Sequence, residues 1–81
     1  MSMGTIFWIR NKMRLVIHSR DHRPPHVHII APDAEVRITI DTLEVLEVNG
    51  FDRSDIKEFV EFMKERQEKI KEKWNEIHGE K

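Results

Sequence analysis

Apolar residues recur at every second position through much of Thr5–Val48, and at every third or fourth position from Ile56 to Ile77. Asn49-Gly50 marks the change of period. A period of two lines one face of a strand and a period near 3.6 lines one face of a helix, so a chain with this switch builds strands first and a helix last. The clearest alternation is Ala34–Ile40, with Ala34, Val36, Ile38 and Ile40 on one side and Glu35, Arg37 and Thr39 on the other. Met13–His18 alternates as well, placing Leu15 and Ile17 opposite Arg14, Val16 and His18. Further strands are expected over Thr5–Ile9, His26–Ile30 and Leu43–Val48, with breaks at Arg10-Asn11-Lys12 and Pro32-Asp33.

The helix is expected over about residues 53–78. Asp52 suits its N-cap, Asp55 its N3 position, and Phe51 with Ile56 a hydrophobic staple. Ile56, Phe59, Val60, Met63, Ile70, Trp74 and Ile77 form one stripe, with Gln67 in its single gap and Phe62 off it. The expected architecture is α+β: an antiparallel sheet of about five strands, with one long C-terminal amphipathic helix packed on one face. Residues 1–81 form a single domain on this reading, and Trp8 and Trp74 are expected in its core. The helix should cover Leu15, Ile17, Val27, Ile29, Val36 and Ile38. That parity leaves His18, His26 and His28 on the opposite face, beside Arg14, Glu35 and Arg37, open to solvent or a partner.

Eighty-one residues bury a thin core, roughly 60% of the unfolded surface. The absence of cysteine excludes disulfides and thiolate metal sites. No apolar run reaches the roughly 20 residues needed to span a bilayer, and no signal-peptide pattern opens the chain, so a cytoplasmic location is expected. The net charge of −1 conceals a gradient. Residues 1–28 carry five bases against one acid and residues 29–51 one base against five acids. The basic end would draw an anionic ligand, unless the two segments are neighbouring strands whose charges pair.

Asp21-His22-Arg23-Pro24-Pro25-His26-Val27-His28 holds three of the five histidines and two of the three prolines, with His18 just upstream. Consecutive prolines stiffen the backbone. His26 and His28, two apart on a strand, project from one face with Cα atoms roughly 6.6 Å apart. Imidazole suits both metal ligation and proton transfer near neutral pH.

These residues, with Gly4-Thr5-Ile6, Thr42–Glu47 and Trp74-Asn75 in the same order, make the chain resemble the prokaryotic domain-of-unknown-function 4160 family. The resemblance covers nearly the whole chain. Arg20 and Val27 stand where the family usually has Asn and an aromatic residue. Genes of that family often lie beside those of a second small family in arrangements like toxin–antitoxin pairs. The resemblance therefore implies one component of such a pair, with a cognate neighbour as its protein partner.

Three readings of the cluster follow. In the first, it is a site for a zinc-like divalent transition metal, with His22, His26 and His28 as ligands, His18 as an alternative, and Asp21 orienting a ligand histidine. In the second, it is a metal-free RNA-cleaving or hydrolytic site. There His26 and His28 exchange protons with Asp21 in support, while Arg14, Arg20 and Arg23 hold the phosphate. In the third, the Pro-Pro segment is a structural turn held by Asp21 and the histidines, and the open face binds the partner protein without catalysis. A homodimer is expected in addition, because one uncovered sheet face leaves apolar area exposed.

Overall fold

The computed structural model describes residues 3–10, 12–18 and 24–78. Five strands come first: β1 (Met3–Arg10), β2 (Met13–His18), β3 (His26–Ala31), β4 (Ala34–Thr39) and β5 (Val45–Asn49). They form one antiparallel sheet in the order β1-β2-β3-β4-β5. Each strand is therefore a sequence neighbour of the next, and the charge gradient becomes a gradient across the sheet. The basic segment supplies β1 and β2, and the acidic one supplies β4 and β5. Arg37 Nη2 meets Glu47 Oε1 at 2.7 Å within the acidic half, and among the described residues Arg14 has no ion-pair partner.

The β3–β4 hairpin is tight, with Ala31 opposite Ala34 and only Pro32-Asp33 between them. The next connection is longer than the alternation suggests. β4 ends at Thr39, one residue short of the expected Ile40, and β5 starts at Val45 rather than Leu43. Leu43 takes φ 60°, a left-handed conformation incompatible with a strand. The turn is held by Thr39, whose N–H donates to the Glu44 carbonyl at 2.9 Å and whose Oγ1 accepts the Glu44 N–H at 2.8 Å. The Ile40 N–H donates to the Pro25 carbonyl at 3.0 Å, tying the proline segment to the end of β4.

The helical part is two consecutive helices, α1 (Arg53–Glu65) and α2 (Gln67–His78), where one was expected. Asp52 caps α1 as expected. Its Oδ1 accepts the Asp55 N–H at 3.0 Å, and the Asp55 carboxylate accepts the Asp52 N–H at 3.2 Å. The Asp55 N–H and the Ser54 hydroxyl hold the Asp52 carboxyl below its ordinary range. The break falls at Arg66. Its N–H donates to the Met63 carbonyl three residues back, while the Phe62 carbonyl, the ordinary partner in an α-helix, accepts Arg66 Nη1 at 3.0 Å instead. The guanidinium also lies 3.8 Å over the Phe62 ring. The regular ladder resumes with the Ile70 N–H on the Arg66 carbonyl.

Gln67 explains the gap in the apolar stripe. Its Nε2 donates to the carbonyls of Ile40, at 2.6 Å, and Asp41, at 3.0 Å, where β4 leaves the sheet. The core lies between sheet and helices: Leu15, Ile17, Val27, Ile29, Val36, Ile38 and Ile40 pack against Phe59, Met63, Ile70 and Trp74. Each fully buried aliphatic side chain there is worth roughly 1.5–3 kcal/mol. The expected parity of the three central strands therefore holds. Off-stripe Phe62 meets Phe7 of β1 edge-on, with ring centroids 6.0 Å apart.

Trp8 departs from expectation. It is 61% exposed, because its register opposite Arg14 puts it on the face away from the helices.

Candidate functional site

The site is built on the start of β3. Pro24 and Pro25 lead into the strand, and the first strand residue, His26, donates from Nδ1 to the Pro24 carbonyl at 2.8 Å. Two residues on, His28 donates from Nδ1 to Glu35 Oε2, also at 2.8 Å. A carbonyl and a carboxylate only accept, so both rings carry a proton on Nδ1. In each neutral ring the lone pair is then on Nε2. A tautomer fixed by a hydrogen bond at Nδ1 is the arrangement found in ligating and proton-accepting histidines.

The cluster is larger than the pair. His18, at the end of β2, stacks on His28 with centroids 4.0 Å apart and planes 5° from parallel. The His26 and His28 centroids are 5.2 Å apart. His26 also lies 6.0 Å from the Trp74 ring, and Trp74 stacks on His78 at 3.7 Å. The cluster thus reaches the helical layer through Trp74.

His26 and His28 were expected on display, and this is corrected. They are only 6% and 5% exposed. They do share the face of Arg14, Glu35 and Arg37, but their rings turn in against each other, His18 and Trp74. Val16, on the same face, is fully buried.

The displayed part of the face lies toward the hairpin ends. Trp8 and Arg14 are cross-strand partners there, and with Lys12, Ile30, Ala31 and Pro32 they line a groove of about 300 Å³. Arg14 is therefore in this groove, displaced along the strand from Val16, the residue paired with His28. A second, smaller concavity of about 40 Å³ is lined by Glu35, Arg37, Glu47 and Asn49.

Of the expected site residues, the structure brings together His26, His28 and His18. Arg20, Asp21, His22 and Arg23 lie outside the described residues. Among the described residues no three His, Cys, Asp or Glu side chains are grouped to hold a metal ion. Among those same residues, the carboxylate orienting a histidine is Glu35, to which the sequence assigns this face but no role. A signal for it existed. A two-residue turn at Pro32-Asp33 pairs Ile30 with Glu35, which puts Glu35 diagonally across from His28. Trp8 was missed because an aromatic residue in an apolar run reads as core, and only the pairing with Arg14 reveals its direction.

Compared with known proteins, residues 12–75 match the family model described as domain of unknown function DUF4160. No curated protein and no solved structure matched the chain.

Proposed function

Because the chain belongs to the DUF4160 family, we propose that it is the partner-binding component of a toxin–antitoxin-like pair, docking a protein on the sheet face that the helices leave uncovered. The observation that carries this reading is the contrast on that face between Trp8, 61% exposed, and His26 and His28, almost wholly buried. An exposed tryptophan flanked by Lys12 and Arg14 over a concave groove has the composition of an interface anchor. The histidines behind it, tied to Pro24 and Glu35, stiffen the platform. The basic half of the sheet favours an acidic partner surface.

One observation favours a second reading, hydrolysis of RNA or ligation of a divalent metal at the cluster. In the neutral rings of His26 and His28 the lone pair lies on Nε2, and Glu35 supports His28 as a carboxylate supports a ligand or general base. His22 and Asp21 would complete the set in that reading.

One panel separates the two. The chain is co-expressed with the product of the adjacent gene and the complex isolated. Wild type, Trp8→Ala, His26→Ala and His28→Ala are then compared for complex formation, bound metal and cleavage of single-stranded RNA with and without chelator. On the docking reading, Trp8→Ala weakens the complex at least roughly tenfold, about 1.4 kcal/mol or more. The wild type then carries neither stoichiometric metal nor nuclease activity. Metal or cleavage lost in the histidine variants but kept in Trp8→Ala would establish the second reading.

A further inference from the structure

The edge of the sheet at β5 has a chemistry of its own. All five of its residues are exposed, yet three are large and apolar: Val45 at 38%, Leu46 at 44% and Val48 at 42%. Its inner side is paired with β4, and in the described sheet it is the last strand. Edge strands ordinarily deter pairing with lysine, proline or bulges that twist them away. β5 contains no lysine or proline, its one charged residue, Glu47, is paired with Arg37 at 2.7 Å, and it carries a single register shift. β1 at the other edge carries two register shifts along its length, against the one in β5.

We infer that β5 is where two copies of this chain pair, antiparallel, across a two-fold axis between Leu46 and Glu47. The irregularity within β5 makes the strand self-complementary. Val48 lies opposite Val36 and Val45 opposite Ile38, with the register shift between Arg37 and Ile38 leaving Leu46 extra. Residues three apart on a regular strand point to opposite faces. Here the extra residue returns Val45 to the face of Val48, the face that Val36 and Ile38 bury.

In the two-fold register Val45 meets Val48 of the second copy, and Val48 meets its Val45, so four valines join on the helix-bearing side. On the other side Leu46 meets Glu47 of the second copy. Glu44 meets Asn49, so no two carboxylates are directly opposed. The product is one continuous sheet of ten strands with the Trp8 grooves at its far ends, clear of the interface. A five-residue strand contact is small beside the roughly 800 Å² per partner of a stable interface, so association is reversible and concentration-dependent.

Sedimentation of the full chain over a wide concentration range tests this. The expected result is a shift from 9.8 kDa toward twice that mass, unchanged or strengthened by added salt, which screens the remaining Glu44 charges. Val48→Lys should weaken association at least tenfold without lowering the melting temperature, since the side chain it replaces is already half exposed. The chain has no cysteine, so the register is read directly. Directly opposed residues on antiparallel strands have Cα atoms about 4.5–5.5 Å apart, within disulfide reach. Oxidised Val45→Cys/Val48→Cys should therefore run as a covalent dimer, released by reductant, whereas Val45→Cys alone should not. The inference is overturned by a wild type that stays at 9.8 kDa throughout, by association that survives Val48→Lys, or by the single variant cross-linking as fast as the double.

Discussion

At Gly50 the backbone takes φ +88°, and a Cβ there would lie 2.8 Å from the Ala34 Cβ and 2.9 Å from the Asp33 carbonyl. Both obstacles belong to the β3–β4 hairpin, so the end of β5 is pinned by backbone approach as well as by conformation. Gly50→Ala should therefore destabilise the fold by at least ~1 kcal/mol. The measurement is a lower denaturant midpoint at unchanged slope; an unchanged midpoint would mean the hairpin yields. Leu43 is the contrasting residue, a leucine in the same left-handed region at φ 60°. Its side chain packs against the core, which offsets a strain of roughly 1–2 kcal/mol.

Among the elements, the junction of α1 and α2 shows a polar residue outweighing apolar periodicity. A leucine at position 67 would complete the stripe from Ile56 to Ile77 and, by pattern alone, strengthen the helix. It would also take the donor away from the Ile40 and Asp41 carbonyls. Leaving such acceptors without their partner costs about 1–3 kcal/mol. Gln67→Leu should accordingly lower stability in denaturant titration in spite of its added apolar surface. A rise in stability would show that stripe continuity dominates.

On the scale of the molecule, the meander order turns a gradient along the chain into one across the sheet. Basic residues gather toward β1 and β2 and acidic residues toward β4 and β5. The groove at Trp8 and the β5 edge should therefore differ in their response to salt. Docking of an acidic partner on the Trp8–Arg14 groove should slow as ionic strength rises from about 0.05 to about 0.5 M, because the Debye length falls well below 10 Å. Association rates of the complex measured across that range check this; a rate independent of salt would remove the electrostatic part of the reading.

The sequence by itself determined the α+β class, the strand parity, the Asp52 cap and the core face. All of these are local: they depend on a period of two, a period of 3.6 and a side chain reaching three residues along. The family was legible for a similar reason, since its motifs lie in short runs. Four features were decided only by tertiary structure. The helix breaks at Arg66 because its guanidinium takes the Phe62 carbonyl, and Gln67 is drawn to the end of a strand 26 and 27 residues away in sequence. Trp8 is turned outward by its register against Arg14. His18, from another strand, stacks on His28, and Trp74, from the second helix, lies beside His26. Periodicity tells which face a side chain leaves from; what it then meets depends on elements remote in the chain.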